Sequence, residues 1–191
     1  DRDINMLDKV LNGVLDIAIV ESYAYHSSLH YLRLPSEQYM FITSCENPRM
    51  AAYRDAACSP EAPLDIDAGW LADDLFICPS FKGRMNRQTQ WMCSTYNFQP
   101  KRTLFLASGM TAYRMAVSGM GLTFQNAAYS TFVKTKERPL FIMPGGKATQ
   151  HHVFALFKGE PKPGLQQDFM RLLHDRMSIA IYGKVTPMEY M

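Results

Sequence analysis

The stretch DKVLNGVLDIAIVES, Asp8–Ser22, begins with helical spacing and ends as a strand. Its second half is apolar almost without a break: Val14, Leu15, Ile17, Ala18, Ile19 and Val20. Polar Glu21 and Ser22 follow at once. Such a run suits a strand covered on both faces, as in a parallel sheet flanked by helices. In open α/β sheets, ligands sit outside the carboxyl ends of the strands. The abrupt polar stop after Val20 therefore makes Glu21 and Ser22 candidates for a ligand edge.

Working outward, Asp3 is a good N-cap for a helix over Ile4 to Leu11, with Ile4, Leu7, Val10 and Leu11 on one face. Asn12 and Gly13 stop it. Downstream, SYAYHSSLHY reads as a loop, and LHYLRLPSEQYMFITSC as two extended pieces broken at Pro35 and Ser36. NPRMAAYRDAAC reads as a short helix with Pro48 in its first turn. After a Pro- and Asp-rich connection, strand–turn–helix recurs three times. DLFIC leads into MNRQTQWMCSTYNF, RTLFLAS into TAYRMAVSG, and GLTFQN into AAYSTFVKT. That grammar predicts an α/β fold with a parallel sheet and crossover helices. RPLFIMP and HHVFALFKG are two further strands around a Gly-rich turn. A closing helix from Pro163 or Gly164 is expected to place Leu165, Phe169, Leu172, Leu173 and Met177 on one stripe.

Composition narrows the class. At 191 residues the chain makes one domain or two small lobes. A domain of this size buries about 70% of its unfolded surface and needs no staples. Net charge is +2, against a large nucleic-acid footprint on this chain. Cys45, Cys58, Cys78 and Cys93 have no zinc spacing and read as reduced thiols, Cys78 within an apolar strand. No apolar run approaches the ~18 residues of a membrane span.

Catalytic motifs are absent: no GxSxG, P-loop, HExxH or dinucleotide fingerprint occurs. The pair Asp73–Asp74 reads as a solvated turn. Adjacent His151 and His152 on a strand point to opposite faces, so they do not grip one metal together. The glycines of SGMGLTF precede a strand, the wrong context for phosphate binding. What remains is a set of strand ends with small or polar residues before helices. They are Ser80, Phe81 and Lys82 after the first repeated strand, and Ser108, Met110 and Thr111 after the second. Hydroxyls and a cation there would orient a ligand, and Phe81 and Met110 would wall its apolar part. The competing reading is plain capping by Ser and Thr, and solvation of Lys82.

Three segments in order resemble the effector-binding domain of LysR-type transcriptional regulators. LDKVLNGVLDIAIV matches the family's helix and L-x-x-G-x-LD-(L/I)-AI strand. LHYLRLPSEQYMFITSCENPRMA is similar to its passage ending in His-Pro, here Asn47–Pro48. ASGMTAYRMAVSGMGLTFQNAA carries its V-x-x-G-x-G block as Val117, Gly119 and Gly121. Gln125–Asn126 stand where the family often has Pro. The strand–helix lead-in and the DNA-binding winged helix-turn-helix expected ahead of these segments are not in this chain.

The resemblance implies a type 2 periplasmic-binding-protein-like fold: two Rossmann-like α/β lobes joined by two crossover strands, with a ligand cleft between them. Lobe I would comprise 1–39 and 151–191, and lobe II 40–150. It implies a small-molecule effector, met by Glu21, Ser22, Ser80, Phe81, Lys82, Ser108, Met110 and Thr111. With Asp3 and Glu21 near the ligand, a zwitterionic, cationic or aromatic effector fits better than a simple organic acid. It implies binding rather than catalysis, no cofactor or metal, and a cytoplasmic homodimer or tetramer. DNA would be reached only through a domain outside this chain, and no membrane is involved. The alternative on the same fold is an exported solute-binding protein of a transporter.

Overall fold

The computed structural model describes residues 2–20, 26–79, 84–146, 149–159, 163–182 and 184–190. In chain order the elements begin with helix α1 (Arg2–Leu11), strand β1 (Ile17–Val20) and the long strand β2 (Leu29–Ser44). A 3-10 segment (Pro48–Tyr53) and the short α2 (Ala68–Leu71) lead to β3 (Leu75–Pro79), α3 (Arg84–Thr95), β4 (Arg102–Leu106) and α4 (Gly109–Met115). A π turn (Ala116–Met120) leads to β5 (Thr123–Asn126), α5 (Tyr129–Phe132) and β6 (Pro139–Ile142). β7 (Thr149–Lys158), α6 (Leu165–Tyr182) and β8 (Glu189–Tyr190) complete the chain. Backbone contacts divide it into two compact units, Asp1–Glu37 with Gln150–Met191, and Gln38–Thr149. β2 contributes its first part to unit 1 and its second part to unit 2.

In unit 1, β7 lies beside β1 and β2. β1 is antiparallel to β7, with Ile17 opposite Phe157 and Val20 opposite Phe154. The parallel pairing expected for the DIAIV run is thus not what the described residues show. Nor is the strand covered on both faces, because Ile19 is 49% exposed. Alternation sorts the side chains. Ala18 and Val20 pack with Val10, Leu7 and Leu11 of α1, together with Tyr31 and Phe154. Leu32, Leu34, Val153 and Phe157 pack instead with Met170, Leu173 and Met177 of α6.

The stripe expected on α6 is corrected by the structure. Leu165, Phe169 and Leu172 face outward, with Leu165 88% exposed. The face that packs is built from Met170, Leu173, His174, Met177 and Ser178, spaced three, four, seven and eight residues apart. Two of its members are polar, so a search for apolar residues alone selects the wrong side.

Unit 2 contains the repeated strand–turn–helix segments. β3 and β4 are parallel, Leu75 opposite Arg102 through Pro79 opposite Leu106. The start of β5 joins β3 in parallel at Phe76–Leu122, with the Ile77 N–H donating to the Leu122 carbonyl at 2.8 Å. β5 and β6 pair antiparallel with β2. Both faces of β2 are covered here. Phe41 meets Phe98 and Phe124 edge-on at 5.0 and 5.3 Å between ring centres. Met40 and Ile42 pack on the other side with Tyr113, Val117 and Phe141.

β2 is continuous through Pro35 and Ser36, where two pieces were expected. Pro35 falls between the residues paired with β8, Leu32 and Arg33, and those paired with β5 from Tyr39 onward. A missing N–H there removes none of those ladder bonds.

Two glycines set how closely unit 2 packs. Gly119 has φ +90°, and a Cβ there would lie 2.6 Å from the Glu46 carbonyl carbon. A Cβ on Gly121 would lie 2.2 Å from the Leu75 carbonyl oxygen. The SGMGL motif thus lets the turn before β5 pass against the backbone of β3. No described helix is long and apolar enough to cross a membrane.

Candidate functional site

The parallel pairing of β3 with β4, and of β3 with the start of β5, brings their carboxyl ends to one edge of unit 2. β3 ends at Pro79, and the segment after it, with Ser80, Phe81 and Lys82, lies outside the described residues. So do Glu21 and Ser22 after β1. The structure therefore places three of the eight sequence candidates, Ser108, Met110 and Thr111, all at this edge.

Ser108 is the N-cap of α4, in extended conformation (φ −121°, ψ 123°). Its Oγ accepts from the Thr111 N–H at 3.3 Å. The capping reading of Ser108 is thus realised, and its O–H remains a donor. Met110 is 46% exposed, and Thr111 is also exposed. The three form an open rim rather than a buried constellation.

Behind the rim lies a group outside the eight residues expected at the site. A Cβ on Gly109 would stand 3.2 Å from Gln125 Nε2 and 3.0 Å from Tyr129 Oη. Glycine at this position therefore admits an amide and a phenol against the first turn of α4. Gln125 is 1% exposed, and its Nε2 has no hydrogen-bond partner. A buried amide N–H₂ left unpaired costs about 1–3 kcal/mol. Such a cost is characteristic of places where a ligand or water completes the bonding. Next to it, Tyr129 stacks on Tyr113 at 5.8 Å and 24°. Burial pushes the Tyr113 phenol up to about 12, so it stays a neutral donor. The signal in the sequence was Gln125–Asn126 ending the strand GLTFQN, where an apolar run closes on two amides.

The other candidates resolve into structural parts. Asp74 is buried, accepts from the Asn47 amide and caps the Leu75 N–H. Asp73 pairs with Lys101, which holds its carboxyl below the usual range. The four cysteines are free, and burial pushes the Cys78 and Cys93 thiols up, the opposite of a reactive thiolate. His152 Nδ1 lies 3.1 Å from both Arg33 Nη2 and Ser36 Oγ. A guanidinium only donates, so this nitrogen accepts and the proton sits on Nε2. Among the described residues, no group of three His, Cys, Asp or Glu is arranged to hold a metal.

Comparison with known proteins gives a consistent picture. The LysR substrate binding domain family matches residues 2–178. The solved structure of the BenM effector-binding domain with its effector benzoate aligns with a TM-score of 0.64 at 12% identity, covering 96% of this chain and 78% of that one. The reduced OxyR regulatory domain from Pseudomonas aeruginosa gives 0.61 at 15%, covering 92% and 78%. The CcmR regulatory domain of Synechocystis PCC6803, in complex with 2-PG, gives 0.62 at 15%, covering 93% and 79%. The chain spans 57% of full-length BenM. A comparison with curated protein sequences finds no match. At these identities the structural likeness concerns the fold, which is the type 2 periplasmic-binding-protein-like fold.

Proposed function

The chain belongs to the family of LysR substrate binding domains, and from that membership we propose that it is the effector-sensing part of a cytoplasmic transcription regulator. Family membership favours this over an exported solute receptor. In this reading a small molecule is bound, not turned over, and the DNA is contacted by a domain outside this chain. The regulator works as a homodimer or tetramer.

The effector is read at the strand-end edge of unit 2. The observation that carries this is the unpaired Gln125 amide, buried beside Gly109 at the rim formed by Ser108, Met110 and Thr111. Gln125 and the Ser108 hydroxyl offer donors, Met110 an apolar wall. Ser80, Phe81 and Lys82 are proposed as further contacts from the segment after β3. Binding controls transcription only through different affinities for two states of the regulator, and the coupling is reciprocal with DNA affinity.

The test is a thermal-shift screen of metabolites on the 191-residue chain. A true effector raises the melting point in proportion to the logarithm of its concentration. Thr111→Ala, a surface change expected to leave the unliganded melting point within a few degrees, and Ser80→Ala should weaken that effector about tenfold each. Equal affinity in both variants would overturn the placement of the site.

A further inference from the structure

A second site lies wholly within unit 1. A cavity of about 330 Å³ is lined by Arg33 and Ser36 of β2, His174 of α6, and Thr186, Pro187 and Glu189 of the chain after α6. That volume is at the small end of ligand pockets.

Three observations make it a built site. First, the Arg33 guanidinium is braced. Its Nη2 donates to His152 Nδ1 at 3.1 Å, and that imidazole nitrogen is itself held by Ser36 Oγ at 3.1 Å. Second, the other arm of the fork is only loosely engaged. Arg33 Nη1 stands 3.6 Å from Glu189 Oε2, beyond the 2.7–2.9 Å of a charge-assisted hydrogen bond. Glu189 is 67% exposed, so this pair is the weak, solvent-screened kind. Third, His174 is 2% exposed, and its Nδ1 has no hydrogen-bond partner. The nearest acid, Asp175 Oδ1, is 3.5 Å away. His174 thus lines a cavity that also presents a half-satisfied guanidinium, and its ring nitrogen becomes a partner once the wall adjusts to a ligand.

The wall opposite is a strap. β8 pairs with β2 at Leu32–Tyr190 and Arg33–Glu189. Ser178 Oγ meets Thr186 Oγ1 at 2.9 Å, fixing the other end of the segment to α6. Glu189 therefore presents a carboxylate from this chain to Arg33 in the cavity lining.

We propose that this cavity binds a small carboxylate, which takes the place of Glu189 on the Arg33 fork and sets its second polar group against His174. The segment after α6 then acts as an internal competitor that the ligand displaces. This differs from the unit 2 edge in position and chemistry: there the described donors are an amide and a hydroxyl, here a guanidinium.

The experiment is calorimetric titration of the full 191-residue chain with pyruvate, succinate and benzoate as probes. At least one should bind saturably below about 10 mM, a weak-site affinity. Glu189→Gln removes the competitor and should tighten that probe about threefold, the worth of an exposed ion pair. Arg33→Gln should weaken it about tenfold or more, and Arg33→Lys, which keeps the charge without the fork, should fall between. Melting curves of each variant establish that it is folded. Thr111→Ala should leave the titration unchanged. No saturable binding by any probe, or binding indifferent to Arg33→Gln in a folded protein, overturns the proposal. Loss on Thr111→Ala with Arg33→Gln unaffected overturns it too, and assigns the carboxylate to the unit 2 edge, leaving the effector reading standing.

Discussion

The satisfied polar network of unit 2 and the part-polar inner face of α6 in unit 1 handle polarity differently. In unit 2 the buried polar groups around Asn47 close on one another, while Gln125 Nε2 and Tyr113 Oη beside α4 stay unpartnered. The Asn47 amide donates to Thr43 Oγ1 at 3.2 Å and to Asp74, while Thr43 donates to the Gly121 carbonyl at 2.8 Å. Around that network both faces of β2 carry apolar side chains. In unit 1, α6 turns His174 and Ser178 inward and leaves Leu165, Phe169, Leu172 and Ile179 outward. A fully satisfied network rigidifies a core, whereas a part-satisfied one marks either strain or a place for something else to bind. The contrast separates the Asn47 network, which is framework, from the Gln125 edge and the α6 face, which have room to accept a partner group.

The contrast can be broken most severely at Gly121. Gly121→Ala drives a methyl into the Leu75 carbonyl oxygen, which neither strand can vacate without breaking the β3–β5 pairing. We expect a loss of about 3 kcal/mol or more, read as a collapsed melting point in calorimetry. A melting point within a few degrees of the parent would show that the close approach is not essential.

A matched pair sharpens it further. Phe41→Ala removes a fully buried ring from unit 2 and should cost about 4 kcal/mol in urea unfolding. Phe169→Ala removes the same side chain from the 46% exposed face of α6 and should cost about 1 kcal/mol or less. Similar losses would mean that the outward face of α6 is covered in solution. The smallest effect is expected at Leu172→Gln, within about 0.5 kcal/mol. Its useful readout is light scattering, where reduced self-association would report on the same apolar face.

Much of this architecture was legible in the chain. The three strand–turn–helix segments, the Gly119/Gly121 block and the first helix with Leu7, Val10 and Leu11 all appear where their patterns put them. The patterns work because propensity, periodicity and packing agree there. Legibility fails where tertiary packing overrules local signals. Pro35 does not break β2, because it falls between the stretches that pair with β8 and with β5. The α6 stripe fails because two of the positions facing the core are His174 and Ser178, which carry no apolar signal. The site divides in the same way. Ser108, Met110 and Thr111 were visible as strand-end residues before a helix. Gln125 was not, since only the fold brings a residue sixteen positions beyond Gly109 to its side.

The path of β2 also orders events in time. Unit 1 is assembled from two stretches that are far apart in sequence, since Val20 pairs with Phe154, whereas unit 2 lies within one continuous run. At a synthesis rate of about 5–20 residues per second, β1 waits roughly 7–27 seconds for its partner to emerge from the ribosome. Unit 2 can fold in that interval, while an apolar strand with unmet backbone groups stays exposed. The nascent chain is therefore most open to chaperone capture at the stretch that first reveals the fold in the sequence.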